Sequence, residues 1–326
     1  MKTLRLKTLA AVLATGGLCG VSAQAGAYSN IYFFGDSVSD SGNVALALGH
    51  PNGVPQVVSG NGYIPDYPYS PSGRFSNGPV WAEDFAAKFG LSAVPSLAGG
   101  TDFAFASART GGPDAQVPSL TTQAGLFLLG AHGSAPSDAL YVIAEVGNDA
   151  RDALTAIRAG ADVAQTIMSA STDYATHLGD LIATLRAAGA AQFLVFDNVN
   201  LGLVPAITSL GSDASALATA VTWNMNAALL GRIATEPGVQ VFDTFSFLTG
   251  VVHNPSAYGF ANATDACAAV AAADCSTYVF WDGLHPTAAM HELIATAAVP
   301  EPTIGVLLLG GLAGLALAKR RSQGRV

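Results

Sequence analysis

The sequence predicts an α/β fold built on a mainly parallel sheet of five strands. Three observations predict it. Short apolar runs at residues 30–34, 102–105, 140–146, 192–196 and 239–242 alternate with helical stretches at 79–89, 119–129, 150–159, 172–188, 214–235 and 288–297, the order of a βα chain. The runs are apolar without strict alternation, as strands covered on both faces are. The stretch between the two ends, about 270 residues with no clear repeat, is enough for one large core.

Taken in order, the first run breaks off at Gly35-Asp36-Ser37. That places a hydroxyl at the carboxyl end of a strand, where open α/β sheets hold their ligands. Residues 50–73 are rich in Pro, Gly, Tyr, Asn and Ser and form a long irregular excursion of the kind that lines sites. Its Tyr63, Tyr67 and Tyr69 either wall a substrate or pack the loop. Asp173 and Asp213 stand where the N-caps of their helices belong. Residues 251–277 make a second loop, which carries Cys267 and Cys275.

Both ends look like addresses. Residues 1–25 have Lys2, Arg5 and Lys7, an apolar middle and the terminal Ala23-Gln24-Ala25, the build of a cleaved secretory signal. Cys19 falls within it and leaves with it. Residues 299–326 read Val299-Pro300-Glu301-Pro302, an apolar stretch over 303–318, then Lys319-Arg320-Arg321. The stretch is slightly short for a spanning helix, and its basic end would stay cytoplasmic. This arrangement resembles the PEP-CTERM sorting signal of Gram-negative bacteria. The resemblance implies transient membrane anchoring, a sorting protease acting near Pro-Glu-Pro, and delivery to the surface or extracellular matrix; an ordinary tail anchor is the alternative. The remaining domain, 26–298, keeps 7 of the 14 basic and 22 of the 23 acidic residues, a net charge of −15. Nucleic acid is excluded as a partner for such a surface. In an exported chain, a close pair such as Cys267 and Cys275 is expected to form a disulfide.

A serine hydroxyl becomes a nucleophile only when a positioned base takes its proton, normally a histidine whose tautomer a carboxylate fixes. His50, His132, His177 and His253 lack distinguishing neighbours, and His291 has only Glu292 beside it, which faces another way on a helix. His285 differs. It lies in Asp282-Gly283-Leu284-His285-Pro286-Thr287, where one turn can bring the carboxylate to the imidazole and Pro286 opens the last helix. The developing oxyanion needs donors. Asn148, closing the third run in Gly147-Asn148-Asp149, can offer its amide with Asp149 and Arg151 behind it, and the Ser37 N–H is a second donor.

Gly35-Asp36-Ser37 with Ser39-Asp40-Ser41-Gly42-Asn43, then Gly147-Asn148-Asp149, then Asp282 to Thr287 resemble, in order, the first, third and fifth blocks of the GDSL-type SGNH hydrolases. Gly73-Arg74-Phe75-Ser76-Asn77-Gly78 with Trp81, and Leu201-Gly202-Leu203-Val204-Pro205, are similar to the lipase-like, phospholipase/hemolysin-like branch. The resemblance implies a flavodoxin-like three-layer α/β/α sandwich. It implies Ser37 as nucleophile, His285 as base and Asp282 as orienter, with Asn148 and a second-block glycine as oxyanion donors. Asp36, Asp40 and Asn43 are expected to support the nucleophile's turn and the helix start.

Two departures stand out. The family's oxyanion glycine falls on Ser107, which keeps the N–H but loses any conformation only glycine tolerates. Glu145 sits ahead of Asn148, where a carboxylate repels an anionic transition state unless it points away. The expected function is a secreted esterase or lipase forming an acyl-enzyme on Ser37, with no metal or cofactor, acting on lipid or small acyl esters. The alternatives are a polysaccharide O-acetyl esterase with the same triad, and a non-catalytic matrix protein on the same scaffold.

Overall fold

The computed structural model describes residues 28–112, 117–271 and 273–299. The elements run β1 (Ile31–Gly35), α1 (Asn43–Ala47), α2 (Trp81–Lys88), α3 (Leu120–Gly130), β2 (Leu140–Ala144), α4 (Asn148–Arg158), α5 (Val163–Ala187), β3 (Gln192–Phe196), α6 (Pro205–Thr208), α7 (Ser212–Ile233), β4 (Val239–Phe242), α8 (Thr244–His253), β5 (Asn262–Ala266), β6 (Tyr278–Phe280) and α9 (Ala288–Ala297). Strands β1-β2-β3-β4 form one parallel sheet in that order, and β5 and β6 form a separate parallel pair.

Side-chain alternation in β1 shows why the sheet has helices on both faces. Successive strand residues point to opposite sides. Phe33 meets Trp81 and Phe85 of α2, while Tyr32 and Phe34 meet Phe127 of α3. The same division holds two strands across, where Phe196 of β3 packs on Trp81 and Phe193 packs with Tyr141 of β2 on the opposite face. Helix α9 lies against α2, and α5 packs against α3, α4 and α7. Trp81, Phe33, Phe85, Tyr141 and Phe193 are all buried, and aromatic side chains of this size dominate the energetics of such a core.

The sheet has four strands, not five. Residues 102–105 do run beside β1: Phe33 N–H donates to the Thr101 carbonyl at 3.1 Å, and Phe103 and Phe105 N–H donate to Phe33 and Gly35 carbonyls at 2.8 and 3.1 Å. They form no regular strand because the Gln123 side chain takes the backbone of Gly35, the next pairing position: its Oε1 accepts Gly35 N–H at 2.9 Å and its amide donates to the Gly35 carbonyl at 2.9 Å, a side-chain substitute that interrupts the ladder after Phe33. The Asp102 carboxylate accepts Ala104 N–H at 2.9 Å and Ser41 N–H at 2.7 Å.

Asp173 is not a cap. It lies within α5, which starts at Val163 with Asp162 as N-cap, accepting Gln165 N–H at 2.8 Å. Residues 163–170 are exposed or half-exposed, so no apolar stripe marks that part of the helix. Asp213 sits in the first turn of α7, inside the N-cap Gly211, where its charge still suits the helix dipole. Residues 251–277 are less loop-like than their composition predicts, holding the end of α8, a 3₁₀ turn at Pro255–Tyr258 and β5. No helix among the described residues is long and apolar enough to cross a membrane. The expected signal, sorting segment and spanning stretch at 1–25 and 299–326 lie outside the described residues, apart from Val299.

Candidate active site

The nucleophile's turn is set by close packing at the end of β1. A Cβ at Gly35 would lie 2.7 Å from the Ala144 carbonyl oxygen and 3.1 Å from Ser39, so only glycine lets β1 end against β2 here. The chain then turns sharply, with Ser39 and Asp40 N–H both donating to the Asp36 carbonyl at 3.0 and 2.9 Å. The Asp36 carboxylate accepts Val38 N–H at 2.9 Å and Val146 N–H at 3.0 Å, tying the ends of β1 and β2 together. Burial pushes this carboxyl up to about 6, against the pull of those two N–H groups.

The Asp40 carboxylate accepts four backbone N–H groups, from Gly42, Asn43, Val44 and Ala106, at 2.6–3.2 Å. Burial nevertheless raises its pKa. The Asn43 amide donates to Asp102 and Ala104 carbonyls at 2.8 and 2.9 Å and accepts Leu97 N–H at 3.0 Å. Asp36, Asp40 and Asn43 thus hold backbone.

Ser37 lies 3.0 Å, Oγ to Nε2, from His285, and His285 Nδ1 lies 2.7 Å from Asp282 Oδ2. An ionised carboxylate only accepts, so the proton of the neutral ring is on Nδ1 and Nε2 is free to accept from the Ser37 hydroxyl. Asp282 is fully buried, and its Oδ1 accepts Leu284 and His285 N–H at 2.8 and 2.6 Å. Gly283 allows this turn to press on the 50–73 excursion: its N–H donates to the Gly62 carbonyl at 2.7 Å, and a Cβ would lie 1.9 Å from the Asn61 carbonyl oxygen.

Three further segments clamp the turn. Ser76 Oγ donates to the Pro286 carbonyl at 2.8 Å, Asn77 Oδ1 accepts Ala288 N–H at 2.8 Å, and Phe75 stacks beside the His285 ring. Ala206 N–H donates to the Gly283 carbonyl at 2.8 Å. Those contacts explain the Gly73-to-Gly78 motif, which the sequence shows without a role, while Leu201-to-Pro205 leads directly into Ala206. The Cys267–Cys275 disulfide is present, with Cα atoms 5.6 Å apart, and Ala268 N–H donates to the Trp281 carbonyl at 2.9 Å.

Ser37, Ser107, Asn148 and His285 line one small cavity of about 10 Å³, room for one water-sized group. Neither Ser37 N–H nor Ser107 N–H has an acceptor among the described residues. Ser107 adopts φ +68°. The left-handed conformation expected to be lost with glycine is therefore kept, at a cost of about 1–2 kcal/mol for a residue with a Cβ.

The Asn148 amide donates to the Ala108 carbonyl at 3.0 Å and only loosely to Asp36 Oδ2 at 3.4 Å, while Arg151 donates to its Oδ1 at 3.0 Å. Arg151 supports Asn148 as expected. Asp149 does not; it turns to Thr110, accepting from its N–H and hydroxyl. Glu145 points away from the cavity. Its Oε1 accepts the N–H groups of Gly147 at 3.1 Å, Asp149 at 3.2 Å and Asn148, capping α4. Burial, with Asp149 and Asp36 nearby, holds its pKa well above the usual carboxylate range and favours the neutral form.

Tyr69, expected to wall a substrate or pack the loop, instead reaches the triad. Its hydroxyl donates to Asp282 Oδ2 at 2.7 Å, the same oxygen that faces His285. Burial and the Asp282 charge hold the phenol well above its ordinary pKa, so it stays a donor. Tyr69 packs edge-on against Trp281 in a cluster with Val58 and Ala266, so it is no substrate wall. Tyr63 receives a hydrogen bond from Arg151 at 2.5 Å and borders the small cavity, whereas Tyr67 is exposed. His291 is buried, accepts Trp81 N–H at 3.1 Å, and is held neutral by burial, which lowers its pKa to about 3.

A parallel sheet with a buried Ser-His-Asp relay beyond its strand ends defines the class, a serine hydrolase of α/β build. Comparison with known proteins narrows it. The model of the GDSL-like Lipase/Acylhydrolase family matches residues 31–298. The chain belongs to that family, and with it to the ester-hydrolysing serine hydrolases. A GDSL esterase/lipase of Arabidopsis thaliana is 29% identical over 318 residues, covering 82% of this chain and 87% of its own length. A second from the same plant is 26% identical over 313 residues, covering 82% and 88%. A phosphatidylcholine-sterol acyltransferase of Aeromonas hydrophila is 27% identical over 257 residues, covering 77% and 70%.

Proposed function

We propose that the protein is an exported esterase or lipase that cleaves acyl esters through an acyl-enzyme on Ser37. The observation that carries the proposal is the relay from Asp282 through His285 to Ser37, with contacts of 2.7 and 3.0 Å. Ser37 Oγ attacks the acyl carbon as its proton passes to His285 Nε2. The C–O bond to the alcohol breaks, and the alcohol leaves with that proton. Water then attacks the acyl-enzyme, giving a proton to His285; the acyl C–Oγ bond breaks, Oγ takes that proton back from Nε2, and the acid departs. Asp282 stabilises the imidazolium in both steps without taking its proton. Ser37 N–H, Ser107 N–H and the Asn148 amide, freed from its long contact to Asp36, receive the oxyanion.

Export through residues 1–25, retention through 299–326 and release by a sorting protease complete the proposal. The PEP-CTERM-like ending favours a second substrate reading, O-acetyl groups on a matrix polysaccharide, which acetate release from acetylated glycan would reveal. The test of the chemistry is Ser37→Ala. It is expected to abolish turnover of p-nitrophenyl esters while the thermal transition stays in place. Retained turnover would refute the assignment.

A further inference from the structure

The two outer oxyanion donors come from different elements. Asn148 opens α4, whereas the Ser107 N–H belongs to a turn outside any helix or strand. Ala108 N–H closes that turn on the Phe105 carbonyl at 3.1 Å, with Ser107 in its third position at φ +68°, where such turns ordinarily carry glycine. Arg109 then folds back over the turn. Its Nη1 donates to the Ser107 carbonyl at 2.5 Å, while Nε and Nη2 donate to Asp152 Oδ2 and Oδ1 at 2.9 and 2.7 Å. Asp152 lies on α4 one turn beyond Asn148. One planar guanidinium thus grips the donor turn and the donor helix together, and its rigid fork fixes the one relative to the other. The side chains of Arg109 and Asp152 are 41% and 56% exposed, and an ion pair so exposed contributes little to stability. Neither residue lines the cavities of about 60 and 10 Å³ that border Ser37; both face the open groove of about 750 Å³ beyond Ser107.

We propose that Arg109 is a positioning residue for the oxyanion hole: paired with Asp152, it holds the Ser107 turn against α4 and so sets where the Ser107 N–H stands relative to the Asn148 amide. The proposal rests on the acyl-enzyme reading above and adds to it a residue that touches no reacting atom. The other links between the two elements are hydrogen bonds from the Asn148 amide to the Ala108 carbonyl at 3.0 Å and from Thr110 to Asp149. Those bonds anchor the segment after the turn. Arg109 alone among the described residues reaches back to the Ser107 carbonyl. A lysine offers one nitrogen where the guanidinium uses three, so it cannot hold both partners in this geometry.

The test compares Arg109→Ala, Arg109→Lys and Asp152→Asn on p-nitrophenyl acetate. Removing an oxyanion donor outright costs about 10²–10³ in kcat, and a donor kept but displaced is expected to cost about ten- to a hundredfold in Arg109→Ala. KM is expected to stay within about twofold and the thermal transition within about 3 °C, since the pair is exposed. Arg109→Lys is expected to stay about fivefold or more below wild type, and Asp152→Asn to lose about three- to tenfold, each a part of that same loss. A trifluoromethyl ketone, whose hemiketal on Ser37 carries the oxyanion, is expected to bind more weakly by the same factor as kcat/KM falls, while the acid limb of the pH profile, set by the triad, stays in place. An unchanged kcat in folded Arg109→Ala would overturn the proposal. So would undiminished ketone binding in a variant of reduced kcat, or a KM rise at constant kcat, which would mark Arg109 as a substrate contact in the groove. If Arg109→Ala does not fold, Asp152→Asn decides, and full kcat in that variant overturns the proposal. Failure of the acyl-enzyme reading would look different: wild type turns over no ester and Ser37 resists fluorophosphonate, which overturns both.

Discussion

Replacing Tyr69 with Phe removes one hydroxyl from the triad's carboxylate and nothing else of its packing. Four donors meet Asp282: Leu284 and His285 N–H on Oδ1, and Tyr69 O–H and His285 Nδ1–H on Oδ2, at 2.6–2.8 Å. Tyr69 is 2% exposed, so water does not readily take its place. A hydrogen bond to a buried charge is worth about 1.5–3 kcal/mol, and stability is expected to fall by that amount. Catalysis is expected to respond with its own signature. With one competitor gone, Oδ2 binds the imidazolium more strongly. If about half of the lost interaction reaches the ring, the acid limb of the rate profile moves up by about 0.5–1 pH unit, at 1.36 kcal/mol per unit. The assay is kcat/KM for a p-nitrophenyl ester from pH 4 to 9, with thermal unfolding alongside. The acid limb is expected to move upward while kcat above it changes severalfold at most. An unmoved limb with a uniform loss of activity would show that Tyr69 only packs the loop, and the reasoning would fail.

Two further outcomes are expected. Ser107→Gly is expected to keep activity, because the N–H donor remains, and to keep stability within about 0.5 kcal/mol as relief of the left-handed strain offsets added chain entropy. Ser107→Val places a β-branched side chain at φ +68° and is expected to cost about 2 kcal/mol in denaturant unfolding; equal stability of the two variants would contradict the backbone account. His291 provides a pH signature. Its folded pKa, about 3, lies below the ordinary 6.5, so its contribution is present above pH 6.5 and is lost as pH falls toward 3. The slope is about 1.4 kcal/mol per unit. Asp36 and Asp197 have raised pKa values, about 6 and about 7, so their contributions increase as pH falls through that range and oppose it. The difference between wild type and His291→Asn isolates the histidine. That difference should shrink from pH 6.5 to 4.5; a constant one would contradict the assignment.

The site's chemistry is largely legible in local motifs, because each catalytic element is a turn whose residues lie close in sequence. Asp282 reaches His285 across three residues, and the turn after β1 is spelled by Gly35 to Asn43. What is hidden depends on tertiary contact. Tyr69 meets Asp282 across 213 residues, and nothing around it distinguishes it from Tyr63 or Tyr67. Glu145 is a hazard in the sequence and a helix cap in the fold, since the direction of its side chain decides which. Ser107 shows the converse: the sequence correctly marks a position that wants glycine, but not that the surrounding bonds hold serine in glycine's conformation. In the fold, residues 102–105 have a strand's composition, yet Gln123, distant in sequence, takes the Gly35 backbone they would pair with. The first part of α5 escapes notice because its exposed side chains carry no apolar period.

The central claim is that Ser37 is the nucleophile. Its most direct test is mass spectrometry of the native protein after a fluorophosphonate probe. One adduct is expected, on the peptide carrying Ser37, slowed strongly in His285→Ala and absent in Ser37→Ala. No adduct on the folded protein, or one on another serine, would contradict the account.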